Sequence, residues 1–569
     1  MQPRPGVVSL EGVDRRRPDP ADHDAYRGVP AGGFRTALAL ALAPDERRPS
    51  TDRWNRPAHC RAVLLSAVAY TVAVTALASW RGPGISPDSV AYASAANGLV
   101  EAGALTMFDG EYLRFFPPGL PLILAGLGML GVPLGLAATL LNCVAASGTV
   151  VVTERIAARA TGSPVLAAAC AVTLAVSMGF LSVNAMLWTE PVVGLTTAVW
   201  LLLLQRLYAR AGLIRADGMA LALVITIAST YRYAAIWMIA VTALSVAVVY
   251  WRRGRGRALA LSALVAAAAA VGLAGVAVEN ARHGIGPLGH RAPSTSDGLD
   301  VGQQVLTGLG ALVVNTDDAP VPLLWAAGTA VIAAVMILLA RAGRSWRWRW
   351  RSGWLRHPLT PLILATTAYW AFLVASELTT AINGIGFRLL YPILPAMVVL
   401  GVLGVRNLLV GSRRPAARRL WQLRFRVFAA YVTALACVGI GWAFDAADRG
   451  IQYNRVALRD EAWIPVVRQL PVDAGLISND PYAVHWLTGR TPVHPSFGLD
   501  FYANGDSDER ARTLCSLVYD TPDTYLLWLG DGATKGVQDF AAMGFGTTEV
   551  STGDGYSVFD VDGCYRLDR

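Results

Sequence analysis

Charge is scarce in this chain. Only 16% of the 569 residues are Asp, Glu, Lys or Arg, and 54% belong to the apolar set; an average soluble domain carries roughly 25% charged residues. With a mean hydropathy of +0.43, this excludes a disordered chain, a collagen-like one and an ordinary cytosolic enzyme. Six cysteines in such a length exclude a disulfide-dense mini-protein. No glycine-rich phosphate loop, C-x-x-C or H-E-x-x-H pattern occurs, so the chemistries those motifs carry have no footing here. His283 and His290, seven apart in a glycine-rich loop, lack metal-ligand spacing. Lysine is nearly missing: Lys535 is the single one among 49 basic residues, a bias of genome composition more than of chemistry.

What is present is a series of long apolar runs. The first, about Ala62 to Trp80, is long enough to span a bilayer as a signal-anchor helix. Further spans are predicted near 134–153, 164–182, 188–205, 217–232, 233–250, 258–279, 321–340, 359–378, 389–409 and 426–444. Arginine clusters fall in alternate connections: Arg155 and Arg159, Arg206 to Arg215, Arg252 to Arg257, Arg341 to Arg356, and Arg406 to Arg426. The positive-inside rule makes those connections cytoplasmic. Eleven spans then leave the N-terminus inside and the C-terminus outside. Leu120 to Leu130 is apolar but short, and reads as a helix lying at the outer interface. The Trp346-Arg347-Trp348-Arg349-Trp350 run reads as an interfacial belt.

Net charge is divided the same way. From Asp445 onward there are 19 acidic and 10 basic residues, a net of −9, so the remainder carries +18. A basic membrane part with an acidic tail argues against nucleic acid as a partner. The predicted architecture is mainly α. Residues 1–60 form a disordered cytoplasmic tail and 61–444 a polytopic helical bundle; 445–569 form a small extracytoplasmic α/β domain. In that domain a helix is expected over Tyr453 to Leu470, with strands at Gly475 to Ser478, at Thr524 to Leu529 and near Thr547 and Tyr556. Helix–strand alternation suggests a largely parallel sheet. The loop 280–320, rich in Gly, Ser, Asp and Pro, reads as mobile, and Asn479-Asp480-Pro481 as a helix cap. Cys515 and Cys564 are the only cysteines of the tail, and an oxidising outer compartment permits a disulfide between them.

Four charged positions stand at outer helix ends. Asp88 follows Ser86 and Pro87 at a helix start, with Tyr92 one turn along. It is either a first-turn acid that stabilises its helix by roughly 0.3–1 kcal/mol or a general base at the membrane surface. Glu190 lies in Leu187-Trp188-Thr189-Glu190-Pro191, where an ionised group is costly and often functional. Asp88 and Glu190 together could ligate a divalent ion, Mg or Mn. Arg232 and Arg388 break the positive-inside trend and need an anion, either a lipid-linked phosphate or Glu190 or Glu377 as structural partner. Arg114, before Phe115-Phe116-Pro117-Pro118, could hold a phosphate or face lipid headgroups.

Taken in order, these segments resemble the GT-C superfamily of membrane glycosyltransferases, in the branch of protein mannosyltransferases, aminoarabinose transferases and RgtA-D-type enzymes. The matching features are Asp88 with Tyr92, Phe116-Pro117-Pro118-Gly119-Leu120-Pro121, Thr189-Glu190-Pro191, Arg232-Tyr233, Arg388-Leu389-Leu390-Tyr391-Pro392, and Ser478-Asn479-Asp480-Pro481 with Leu487-Thr488-Gly489-Arg490. The resemblance implies a multi-pass enzyme of the plasma (inner) membrane that uses a polyprenyl-phosphate-linked sugar. It implies Asp88 as catalytic base, with Glu190 the alternative catalytic carboxylate, Arg114, Arg232 and Arg388 on the donor phosphate, and Tyr92 and Tyr391 in the substrate pocket. The acceptor would be a lipid, glycan or protein. Many relatives pair two acids in the first loop; here Asp88 stands alone. A lipid or polysaccharide transporter, or a non-catalytic envelope-assembly protein, is the alternative reading; a transporter would favour ionisable groups near the bilayer centre.

Overall fold

A computed structural model describes residues 57–564 except 211–214, 290–292, 317–318, 350–356, 411–415, 494–506 and single positions 114, 295, 381, 383, 522 and 543. Most of the N-terminal tail, Arg114 and His290 therefore lie outside the described residues.

Apolar helices dominate. Seven are long and apolar enough to cross a membrane: Ala58–Ala78, Leu134–Thr161, Glu190–Arg210, Tyr233–Tyr250, Thr360–Thr379, Phe387–Arg406 and Arg426–Arg449. Two bent pairs, Pro164–Ala175 with Met178–Asn184 and Arg255–Ala269 with Val271–Arg282, raise the number to nine among the described residues. The other two expected spans fall on shorter apolar helices, Ala216–Tyr231 and Val321–Ile337; Gly119–Met129 is a third such helix. Large side chains point outward along these helices, with Leu65 68%, Val144 66% and Leu264 65% exposed. That suits hydrocarbon, where apolar surface has no reason to hide.

Association in such a solvent relies on close packing of small residues. The helix Gly298–Val314 lies against Val321–Arg349. A Cβ at Gly310 would come within 1.9 Å of the Leu324 carbonyl oxygen, and one at Gly328 within 2.2 Å of that of Leu306. Only glycine admits backbones so near each other. The first of these helices overturns the reading of 280–320 as a mobile loop. Asp297 caps it, its carboxylate accepting from the Leu299 and Asp300 amides at 2.7 and 2.9 Å, and Asp300 reaches back to the Asp297 amide. Deeper in the bundle, Trp200, Trp237 and Tyr369 stack edge to face and tilted at about 5 Å, and the Trp200 indole donates to Thr242.

The last long helix runs on to Arg449, past the expected boundary at 444. Two short helices, Val456–Arg459 and Trp463–Gln469, stand where one was expected. The sheet has the order β1-β2-β4-β3, with β1 Gly475–Ser478, β2 Thr524–Leu529, β3 Phe545–Gly553 and β4 Tyr556–Cys564. Only β1 and β2 pair in parallel; β4 is antiparallel to both its neighbours, which corrects the expectation of a largely parallel sheet. The reason is local. Asp554-Gly555 joins β3 to β4 with Gly555 at φ 73°, a two-residue hairpin connection that returns the chain beside itself. Asp480 caps the helix Pro481–Thr488 as expected, through the Ala483 amide.

Cys515, in the helix Ser507–Asp520, is disulfide-bonded to Cys564 at the end of β4. The bond closes a 49-residue separation and stabilises the tail by roughly 2–4 kcal/mol. Thiol labelling of the unfolded protein should gain two reactive cysteines on adding reductant. Equal labelling with and without it would show the bond absent.

Candidate active site

The site begins with a three-way backbone contact. Gly84 donates to the Ala185 carbonyl at 2.8 Å and accepts from the Leu187 amide at 3.0 Å. On its other side, Ile85 accepts from the Tyr453 amide at 3.0 Å, and Asn454 donates to the Pro83 carbonyl. A Cβ at Gly84 would lie 2.2 Å from Met186 Sδ and 2.7 Å from Ile451, so the strands close this tightly only on glycine. This bridge sets Asp88 and Glu190 side by side, each a few residues downstream of it.

Asp88 sits in the first turn of the helix Pro87–Ala102. The helix end is capped without it: Ser86 and Ser89 form a reciprocal capping box, and Pro87 takes the first position. The carboxylate turns instead to Arg388, whose Nη2 donates to Asp88 Oδ2. The same guanidinium donates through Nε to Glu190 Oε1 at 2.5 Å and lies 4.4 Å from the centroid of the Trp188 ring, a cation–π contact. Trp188 is itself fixed by donating to Ser86 Oγ at 2.7 Å. Glu190 opens the helix Glu190–Arg210 and takes a second guanidinium, from Arg232 Nη1, on the same oxygen. Its other oxygen accepts from Thr189 at 3.3 Å. Glu190 is fully buried and Asp88 5% exposed, while the two arginine side chains keep about a fifth of their surface open.

Four of the charged positions singled out in the sequence thus meet in one neutral cluster, two carboxylates on two guanidiniums. Both arginines take Glu190; Glu377 pairs elsewhere, with Ser296 and Gln304. Tyr92 is buried on the same helix as Asp88, 4.8 Å from the Phe116 ring. Burial, reinforced by Asp88 and Glu190, raises the Tyr92 phenol well above its ordinary range, so it stays protonated. Tyr391 is buried, stacked on Phe180 and exchanging hydrogen bonds with Asn184.

Sequence reading missed the braces of Arg388. The Tyr369 hydroxyl donates to the Leu389 carbonyl. The Gln304 amide donates to Glu377 at 2.9 Å and accepts from the Ile385 amide at 3.2 Å. One of two adjacent Gln residues in a glycine-rich helix gives no sequence signal for this. The first loop is held by aromatic contacts: Phe108 stacks on His485 of the tail at 4.5 Å, and Tyr112 on His283 at 3.8 Å.

In this arrangement Asp88 and Glu190 are bridged by a guanidinium. Arg388 spans the two carboxylates, and with Arg232 it neutralises them. Among the described residues no group of three His, Cys, Asp or Glu side chains comes together.

Removing Glu190 should harm folding more than neutralising Asp88. Glu190→Ala leaves Arg232 and one arm of Arg388 uncompensated in an apolar surrounding, a loss of roughly 3 kcal/mol. Asp88→Asn leaves Arg388 still held by Glu190. Thermal unfolding in detergent should place Glu190→Ala clearly below Asp88→Asn; equal melting temperatures would contradict this ranking.

No protein-family model matches the sequence, and no curated protein matches it. Solved structures do align with it. ArnT from Cupriavidus metallidurans, in a crystal structure bound to undecaprenyl phosphate, aligns over 87% of this chain and 97% of its own, at 14% identity and a TM-score of 0.51. The apo crystal structure of ArnT aligns over 89% and 98%, at 13% identity and a TM-score of 0.50. AglB from Archaeoglobus fulgidus, in complex with an inhibitory peptide and a dolichol-phosphate, aligns over 92% and 75% at 13% identity, with a TM-score of 0.44 too loose to build on. With nearly the whole length of ArnT matched, the chain has the fold of the GT-C membrane glycosyltransferases.

Proposed function

We propose that the protein transfers a sugar, hexosyl or pentosyl, from a polyprenyl-phosphate donor to a hydroxyl of a lipid, glycan or protein acceptor. The carrying observation is the cluster of Asp88, Arg388, Glu190 and Arg232 at converging helix ends. It lies in a fold shared with ArnT, which was crystallised bound to undecaprenyl phosphate. Asp88 takes the proton of the acceptor hydroxyl as its oxygen attacks the anomeric carbon. The bond from that carbon to the phosphate oxygen breaks, and its electron pair leaves with the polyprenyl phosphate. Attack opposite the leaving group inverts the anomeric centre. Arg388 and Arg232 stabilise the charge that grows on the phosphate, the place where preorganised donors count most. Arg114, in the first loop, is a further candidate for that phosphate. Charged groups gathered at helix ends, rather than mid-bilayer, favour this reading over a transporter.

The site is proposed to face the extracytoplasmic side of the plasma membrane. Extracytoplasmic glycosyl transfer lacks nucleotide-sugars, so a lipid phosphate serves as leaving group. The cytoplasmic tail, bundle and C-terminal domain are divided at 60 and 444, the N-terminus inside. The alternating arginine clusters support this sidedness, as does the disulfide, which belongs in an oxidising compartment. Reporter fusions should read extracytoplasmic after Gly450 and cytoplasmic after Arg257; a cytoplasmic signal at Gly450 would sink the orientation.

Asp88→Asn keeps the size of the side chain and removes its basicity. A general base contributes about 10²–10⁴-fold in rate, so transfer from a polyprenyl-phosphate sugar should fall at least about a hundredfold at matched protein level. Asp88→Glu should recover little, because displacing a reacting group by about 1 Å costs on the order of 10²-fold. Retention of more than about a tenth of the wild-type rate in Asp88→Asn would remove Asp88 from the role of base.

A further inference from the structure

The proposed base is already engaged. Asp88 holds Arg388, and Arg388 is one of the two arginines proposed to receive the donor phosphate. A guanidinium offers five N–H donors in a fixed fork, and carboxylate and phosphate compete for the same geometry. The two halves of the cluster are not equal in this competition. Glu190 keeps Arg232 and the Arg388 Nε whatever the Arg388 Nη2 does. The contact of Arg388 with Asp88 can therefore be exchanged without stranding Glu190. The Trp188 ring lies along the face of the guanidinium and holds its plane while the edge changes partner. About a fifth of the Arg388 side chain is open, so a phosphate has an approach.

We infer that Asp88 and the donor phosphate are alternative partners of the Arg388 Nη2 edge, so that donor binding draws Arg388 off Asp88 and frees the carboxylate to act as base. This rests on the donor reading above and adds an order to it. Before the donor arrives, Asp88 is occupied as the counter-ion of Arg388, whose Nη2 donates to its Oδ2. With phosphate on Arg388, Asp88 loses that partner beside the anomeric carbon it serves. The exchange makes no covalent bond and moves no proton. It exchanges one charge-assisted contact for another and couples arming of the base to the presence of its substrate.

The consequence runs against the ordinary expectation for an active-site variant. Asp88→Asn removes the competitor, so it should bind the phosphate more tightly while losing transfer. The probe is undecaprenyl phosphate, titrated into detergent-solubilised full-length protein and followed by ligand-induced stabilisation, which reports affinity without turnover. Wild type should bind, and Arg388→Met should bind at least about tenfold more weakly, the loss of a charge-assisted contact. Asp88→Asn should bind about tenfold more tightly than wild type, the gain from no longer displacing such a contact. A general gain in positive field must be separated from competition, and Asp480 serves for that. It takes both its oxygens to the Tyr453 hydroxyl, and Tyr453 is close enough to Asp88 to feel its charge. Asp480→Asn removes one negative charge from the same neighbourhood, and an amide can still cap its helix. Under competition it changes affinity by less than about twofold, because no contact of Arg388 is altered.

The outcomes separate the two readings. Wild type that does not bind undecaprenyl phosphate overturns the donor reading, and the exchange falls with it. Wild type that binds, with Asp88→Asn no tighter, overturns the exchange and leaves the donor reading standing. Equal tightening in Asp88→Asn and Asp480→Asn also overturns it, as a field effect. Tightening confined to Asp88→Asn establishes it. If Arg388→Met cannot be purified, the comparison of the two acid-to-amide variants still decides, since neither removes a guanidinium.

Discussion

A fully buried glutamate with two guanidiniums on one oxygen constrains much of this structure. An ionised carboxylate taken from water into low dielectric is costly, and the cost is offset only where opposite charge and hydrogen bonds meet it closely. Glu190 satisfies that condition through Arg232 and Arg388, and with Asp88 the four residues stand at the ends of four different helical segments. Helix ends are drawn to one place because their charges have no other cheap partner in an apolar bundle. The same condition makes the cluster neutral, and a neutral cluster with an open edge can accept an anion by rearranging one contact.

The bilayer reading explains why so much of the remainder looks unspecific. Where the outside is as apolar as the inside, burying leucine does not distinguish one packing from another. Specificity then falls to small residues and to the few polar contacts. Gly310 and Gly328 let two helices touch backbone to backbone. Gly308, on the first of them, sits with its would-be Cβ 2.3 Å from the Ile385 carbonyl oxygen, and Gln304 from the same helix holds the Ile385 amide. That helix therefore presses on the segment that delivers Arg388. It makes no ionic contact with the cluster among the described residues, yet its position fixes where the guanidinium can stand.

The legible part of this site was the part written in charge. Asp88, Glu190, Arg232 and Arg388 stand out because ionisable residues at apolar helix ends are rare, and alternating arginine loops put them on one side. Which acid takes which arginine was not legible, since the choice depends on how helices pack and no periodicity encodes that. The sense of the tail's sheet had a cue in Asp554-Gly555, but helix–strand alternation pointed the other way. Composition misjudged 298–314 because Gly and Asp, counted together, suggest a loop, whereas Asp297 in the capping position starts a helix and the glycines serve its packing. Gln304 had no cue at all: its role exists only because Glu377 and Ile385 are brought to either end of one amide.

The tail belongs to the same argument. The chain that follows the last long helix pairs with the segment leading to Asp88, through Ile85 with Tyr453 and Pro83 with Asn454. Asn454 is in turn held by the Trp486 indole from the tail helix Pro481–Thr488. Phe108, in the loop that follows the Asp88 helix, stacks on His485 of that same tail helix. The segment that positions the acid is thus gripped on one side by the bundle, at Ala185 to Leu187, and on the other by the tail. The proposed exchange asks one carboxylate to face a guanidinium in one state and a hydroxyl in another, which its own helix alone does not secure. Holding its backbone from two sides would let the side chain change partner while the backbone stays fixed, the preorganisation that the proposed proton transfer requires.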